Sequence, residues 1–410
     1  MKYSNSLKYM NAFPAAEKSS DISPKRASEL CNSLGRVNLG MRCICLPCCG
    51  AGHASAAMLE SVMVCAGHKV GRLTSAYGFD SRASVLINGE IPSIDDYNGA
   101  VEELKSAVKR NPDTPYTKEE TAFVLGLLLC KMNGCEFVIF EGLSGVDFSL
   151  DSICAPYELI VTPTFYGCGE DAERLKCLCD SIRRGTREVV SGNQRSEVYN
   201  TISNACAISG SRLYIPVKAQ LEVGEVSSRS LSFTYVGRDG FTLKNPSHVA
   251  RDCAITVIEA ALALRRGGVR IPWNSISAGL SSVTVSGCFD MLSLSPKLVL
   301  DTSTGAEEAS MLKRTANELW GEDAFRNISL CVSDTALDAV KAFNEGELST
   351  LAVCLSKDAE LPEGAIALAS TKKAAQEILS VMRQGRDVVC LGDVGFISSL
   401  KCEILKLMNG

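Results

Sequence analysis

Met41-Arg-Cys-Ile-Cys-Leu-Pro-Cys48 runs directly into Cys49-Gly-Ala-Gly-His-Ala-Ser55, and that into Ala56-Ala-Met-Leu-Glu-Ser-Val-Met-Val-Cys-Ala66. The first block is an apolar run of buried-strand length, the second a glycine-rich turn, and the third a stretch of good helix formers. Gly67 closes the helix, and Lys69-Val-Gly-Arg-Leu-Thr-Ser75 reads as the next strand. Strand, glycine loop, helix and strand in that order open a parallel α/β domain. Cys43 and Cys45 alternate as on one face of a buried strand, where a reduced thiol packs as a small hydrophobe.

The alternation continues in both directions. Residues 1–40 read as a helical lead-in, with Leu30 and Leu34 at i, i+4 and Gly35 at the helix end. Helices are expected at 94–108 and 117–132, the second with Thr117 and Glu120 at capping-box spacing. Strands are expected at 137–141, 159–162, near 190 and at 212–215. Residues 221–244 are rich in β formers, with a hairpin-like turn at Gly237 to Gly240. A long helix over 249–265 follows. From Lys297 a second alternating series begins: strand 297–301, helix 306–319, strand 328–332, helix 334–344, strand 351–355, a helix from Lys372 and strand 387–391. Residues 285–300 read as a junction, and the series that follows as a small second α/β domain of roughly 110–125 residues, within the usual domain size.

Composition excludes several classes. The 410 residues are 46% hydrophobic and 22% charged, the mix of a globular protein with large cores. Forty-two Lys and Arg against 47 Asp and Glu leave a net charge of −5, with no basic stripe to neutralise phosphates, which argues against a nucleic-acid binder. No segment has the ~20 apolar residues of a membrane helix. The N-terminus lacks the apolar run of a signal peptide, so a cytoplasmic protein is expected. Nineteen cysteines, an odd number, are then expected as thiols. Cys45-Leu-Pro-Cys48 has no second pair at zinc-site spacing.

A glycine-rich turn leading into a helix is a ready anion site, because free N–H groups point outward from the positive end of the helix dipole. Gly50 and Gly52 supply the permissive backbone, and Ser55 supplies a hydroxyl. A P-loop also carries a Lys that reaches the β/γ-phosphates. Here His53 stands in the comparable place, and neutral imidazole is no fixed cation. A tight turn holding no ligand is the other reading of the same residues. The chain has three histidines, His53, His68 and His248; His68 reads as a surface residue of a helix-to-strand turn. No G-x-S-x-G elbow is present, which argues against a serine hydrolase.

Taken together these motifs resemble bacterial folylpolyglutamate synthase / dihydrofolate synthase, a branch of the Mur ligase superfamily, over nearly the whole chain. The family loop G-T-N-G-K-G-S is similar to Cys49–Ser55, and T-S-P-H followed by R-I-N-G-E to Thr74-Ser-Ala-Tyr77 and Leu86-Ile-Asn-Gly-Glu90. The T-F-F-E helix start resembles Thr117-Lys-Glu-Glu120, and E-V-G-L-G-G resembles Glu141-Gly-Leu-Ser-Gly145. G-R-H-Q-x-x-N-A resembles the segment from Pro246 through His248 and Asp252 to Ala254. The W-P-G-R-L-E hinge resembles Val285-Ser-Gly-Cys-Phe-Asp290, and L-D-G-A-H-N-P resembles Leu300 to Ala306. The family's V-T-G-S-L-Y-L-V-G-E element resembles Val389 to Ile397.

The resemblance implies a two-domain α/β Mur-ligase-like fold, with a P-loop-type parallel-sheet domain at 1–285, a hinge at 286–296 and a smaller Rossmann-like α/β domain at 297–410, and a reaction in which ATP phosphorylates a folate-linked carboxylate that glutamate then attacks. It implies Mg²⁺ and ATP as cofactors, a folate or other small carboxylate as partner, nucleotide contacts from Gly50, Gly52, His53, Ser55 and Asp301, and metal contacts from Ser55, Ser75 and Glu141. Capping is the other reading of Ser55 and Ser75, and a capping or core role that of His248.

The same comparison implies losses. The loop Lys is His53, and the hinge Arg is Cys288. Tyr166-Gly-Cys-Gly-Glu170 holds no counterpart of the metal-binding His, and Lys176 is displaced from the place of the family's carbamylated Lys. The His and Asn after Asp301 are missing, and the Asn of the helix start is Asp252. Phosphoryl transfer relies on such cations, and losing one stabiliser typically costs ~10²–10³ in rate. Three readings follow: a ligase homologue impaired in catalysis, with weak Mg-nucleotide or folate binding and a protein partner; an active, divergent amide ligase in which Arg72 or Arg183 reaches the phosphates; and a structural module without a small ligand.

Overall fold

The computed structural model describes residues 2–46, 52–74, 80–141, 150–165, 172–285, 287–322, 324–325, 328–343, 349–353 and 364–409. Seven strands, β1 (Arg42–Leu46), β2 (Val70–Thr74), β3 (Val85–Ile87), β4 (Phe137–Glu141), β5 (Tyr157–Thr162), β6 (Glu188–Ser191) and β7 (Arg212–Tyr214), form one sheet in the order β3-β2-β4-β1-β5-β6-β7. All neighbours are parallel except β3, which pairs antiparallel with β2. Seven helices accompany these strands: α1 (Tyr3–Met10), α2 (Pro24–Ser33), α3 (Gly52–Cys65), α4 (Ile94–Lys109), α5 (Lys118–Met132), α6 (Ala172–Ser181) and α7 (Ser196–Ser209).

Parallel strands covered on both faces must be apolar on both. On β1, Cys43 and Cys45 face the core under α2, α4 and α5, and Ile44 and Leu46 face the opposite core under α3. The start of α5 is fixed by the capping box. Thr117 Oγ1 accepts from Glu120 N at 3.3 Å, and Thr117 N donates to Glu120 Oε2 at 3.2 Å.

A three-stranded antiparallel sheet follows, β8 (Leu221–Ser227), β9 (Ser230–Tyr235) and β10 (Arg238–Leu243), in the order β10-β9-β8. Its apolar face, with Phe233 stacked on Phe241 at 5.2 Å, joins the core beneath α8 (His248–Arg266) and α9 (Trp273–Ser282). Gly279 lets α9 rest directly on α3: a Cβ there would lie 2.5 Å from Val62 Cα.

The second α/β unit contains β11 (Asp290–Leu294), β12 (Lys297–Asp301), α10 (Ala306–Trp320), β13 (Ile328–Ser333), β14 (Ser349–Val353), β15 (Ile366–Leu368), α11 (Thr371–Arg383), β16 (Asp387–Leu391) and α12 (Val394–Asn409). Its sheet order is β11-β12-β16-β13-β14-β15, with only β11 antiparallel to its neighbour. Residues 290–294, read from sequence as hinge, therefore form its edge strand. The helix expected at 334–344 is two short 3₁₀ segments, Asp334–Ala336 and Asp338–Phe343. Ala336 and Ala339, then Val340 and Phe343, are buried at three-residue intervals, the spacing of a 3₁₀ face.

Gly279→Ala presses a methyl group into the α3 backbone. We expect a loss of about 1–3 kcal/mol, the usual cost of overpacking, seen as a lower urea midpoint at unchanged slope.

Candidate functional site

The carboxyl ends of β1, β2 and β4 and the N-terminus of α3 meet at one place, as ligand crevices of open α/β sheets do. Gly52 opens α3, with His53 and Ser55 in its first turn, all buried. Ser55 is completely buried, and the Cys253 thiol of α8 faces its hydroxyl. Gly50, Ser75, Gly142 to Gly145 and Tyr166 to Glu170 lie outside the described residues.

Glu141 ends β4, where Thr74 of β2 is its register partner. Its carboxylate is engaged. Arg72, inside β2, donates from Nη1 to Glu141 Oε2 at 2.6 Å and from Nε to Glu60 Oε2 at 2.8 Å. Glu60 comes from α3, and its second oxygen accepts from Gly89 N at 2.6 Å. The side chains of all three are 5% exposed or less. Burial pushes the Glu60 carboxyl up, and the Arg72 charge opposes that shift. Arg72 therefore faces two carboxylates, which corrects its assignment as a phosphate-reaching cation. Arg183 corrects likewise: Nη1 lies 3.6 Å from Asp151 Oδ1, and the guanidinium sits over the Tyr157 ring.

Asp301 ends β12 and is buried. Oδ2 accepts from Phe289 N at 2.7 Å, Oδ1 accepts from Ser303 N at 3.0 Å, and Ser303 Oγ also donates to Oδ1. Burial pushes its carboxyl up, while these donors and the field of His53 hold it down. His53 and Asp301 are thus brought into electrostatic reach of each other from the two α/β units.

The segment that links the two α/β units is bonded in place around them. Asn245 Nδ2 donates to the Cys288 carbonyl, and the Cys288 thiol, pushed up by burial, lies 3.8 Å from Ser247 Oγ. Phe289, at φ 47°, packs on Trp320 at 5.8 Å. His248 Nε2, at the start of α8, is 2.7 Å from Glu318 Oε2 of α10. Desolvation depresses the His248 pKa. His68 is not a free surface residue: its ring nitrogens lie 3.0 Å from Glu136 Oε2 and 3.0 Å from the Arg270 carbonyl. Lys176 is exposed on α6. Among the described residues, no three His, Cys, Asp or Glu gather as a metal-binding group.

Sequence reading missed Glu60 altogether. The signal was Arg72 itself, since an arginine inside an apolar strand needs a carboxylate partner to be buried.

No family model and no curated protein sequence matches the chain. Solved structures do. A folylpolyglutamate synthase complexed with AMPPCP and folate superposes with a TM-score of 0.81 at 17% identity, over 99% of this chain and 100% of that one. The Mycobacterium tuberculosis enzyme complexed with ADP gives 0.79 at 14% identity, over 98% of both chains. The Thermotoga maritima enzyme gives 0.74 at 16% identity, over 98% of this chain and 96% of that one. The fold is that of the folylpolyglutamate synthases. This folylpolyglutamate synthase-like Mur ligase fold, two α/β units with parallel sheets, is the one expected from the motifs. Among the described residues, no helix is long and apolar enough to cross a membrane.

Beneath β1, burial pushes the Asp151 carboxyl up to about 7, with Arg183 opposing the shift. A raised folded-state pKa means the native state holds the proton that the unfolded chain has released. Asp151 therefore stabilises fully below its unfolded pKa near 4, and that contribution is lost as pH rises to about 7. We expect urea-unfolding stability to fall across this window at up to about 1.4 kcal/mol per pH unit from this group. Asp151→Asn should flatten that part of the profile.

Proposed function

We propose that this chain is a folylpolyglutamate synthase-like protein impaired as a ligase, retaining at most weak binding of an Mg-nucleotide or a folate. The observation that carries the reading is the Arg72–Glu141 ion pair. Mg²⁺ is a hard cation held by oxygen donors. At Glu141 it would stand beside a buried guanidinium. A divalent and a univalent cation about 4 Å apart repel by about 8 kcal/mol at an effective dielectric of about 20. Glu141, as placed, does not fit a metal ion. His53 supplies no fixed charge for the phosphates, and Cys288 none from the hinge.

The nucleotide and folate complexes of the structural neighbours support a cleft of the right class for such ligands. On this reading residues 1–285 carry the nucleotide side, 286–296 the hinge and 297–410 the closing unit. Gly50, Gly52, His53, Ser55 and Asp301 line the nucleotide path, and Ser55 and Ser75 are what remains of the metal set. The protein works in the cytoplasm, with a protein partner reading the scaffold.

Glutamate-dependent ADP release from Mg-ATP and a folate panel tests this. We expect none above a no-enzyme control; turnover abolished by Glu141→Gln would overturn the reading. Calorimetric titration with ATP should give the same affinity with and without Mg²⁺. Arg72→Met leaves two buried carboxylates facing each other and should cost about 3–5 kcal/mol in urea unfolding. The double variant Glu60→Gln/Arg72→Met removes that repulsion, frees Glu141, and should make ATP affinity rise with Mg²⁺.

A further inference from the structure

A cavity of about 390 Å³ opens at the end of the seven-stranded sheet opposite the N-terminus of α3. It lies at the amino ends of β1, β5, β6 and β7 and the carboxyl ends of α7 and α8. Arg42, Arg187, Arg212 and Arg266 line it, with Glu158 and Glu188. Glu158 Oε2 receives two guanidiniums at once, Arg42 Nη2 at 3.1 Å and Arg187 Nη1 at 2.9 Å. Arg212 Nη1 is 3.4 Å from Glu188 Oε1, and Arg266 lies over the Tyr214 ring at 3.9 Å.

Four guanidiniums against two carboxylates leave an excess of two positive charges. The carbonyl ends of α7 and α8 carry about half a negative charge each, so they account for about one of the two. The Arg187 and Arg212 side chains are 60% and 71% exposed, which leaves most of their N–H groups facing solvent. The guanidiniums reach the cavity from separate elements: Arg42 from β1, Arg187 from just before β6, Arg212 from β7 and Arg266 from the end of α8. That suits an anion with several oxygens around one centre, as phosphate has, because guanidinium binds phosphate oxygens in pairs. The cavity is far larger than a free phosphate and falls within the range of small-molecule sites. Glu188 also lines the wall, and its carboxylate, which accepts from Arg212 Nη1 at 3.4 Å, has further acceptor capacity for a ligand hydroxyl.

We infer that this cavity binds a small phosphorylated, hydroxyl-bearing metabolite of sugar-phosphate to mononucleotide size. The phosphate sits among Arg187, Arg212 and Arg42, and hydroxyls donate toward Glu188 and the helix-end carbonyls. The site is separate from the ligase-like cleft and stands whether or not the reading of that cleft does.

Calorimetry on the full chain at low ionic strength, with ribose 5-phosphate, inorganic phosphate and ribose as probes, tests it. We expect saturable binding of ribose 5-phosphate, at least about tenfold tighter than phosphate, and none of ribose. Arg187→Ala/Arg212→Ala changes two exposed side chains, so the fold should survive. It should weaken ribose 5-phosphate at least tenfold. Glu188→Gln should narrow the gap between ribose 5-phosphate and phosphate. Absence of saturable binding, binding indifferent to the double variant, or phosphate binding as well as the sugar phosphate would each overturn the inference.

Discussion

The buried guanidinium of Arg72 is the point on which the centre of the sheet turns. It belongs to β2, yet its two anchors come from α3 and from the end of β4. A charge in that position is tolerable only while both carboxylates are present and correctly aimed, because an uncompensated buried ion costs several kcal/mol. The triad therefore fixes where α3 sits over the sheet and how the ends of β2 and β4 align. The helix that would present its N-terminus to a phosphate is held by an interaction that also occupies the nearest carboxylate. The position of the helix and the engagement of the carboxylate come from the same contacts.

Asp301, at the end of β12, is engaged in the same way: its oxygens receive Phe289 N and the Ser303 amide and hydroxyl. Ser55, buried in the first turn of α3, meets the Cys253 thiol. Cys288 is buried between the two α/β units. The two carboxylates, Glu141 and Asp301, are thus each met by donors of the chain itself.

Legibility in the sequence divides along the same line. Strands 137–141, 297–301 and 387–391 were readable to the residue, because both faces of each are apolar and the flanking residues are not. The start of α5 was readable because Thr117 and Glu120 act on each other three residues apart. The 3₁₀ turns at 334–343 were not, since a three-residue apolar interval is also compatible with an α-helical stripe over so short a run. The partners of Arg72 were not readable either. They lie 12 and 69 residues away, and only the sheet order β2-β4-β1 brings them together. His68 reads as exposed until the strand beside it places Glu136 at its ring. Local periodicity carries fold; long-range charge pairing carries the state of the site.

That division explains how chains at 14–18% identity can share a whole architecture. The constraints that hold the fold are distributed over many apolar positions, each worth roughly 1.5–3 kcal/mol and each open to substitution by another apolar residue of similar size. The constraints that hold phosphoryl-transfer chemistry are concentrated in a few charges, none of which another residue type can replace. Two buried carboxylates facing each other, Glu141 and Glu60, would repel. An arginine on the neighbouring strand, reaching both, resolves it. The compensating cation is covalently part of the protein, so it needs neither magnesium nor nucleotide to stay in place.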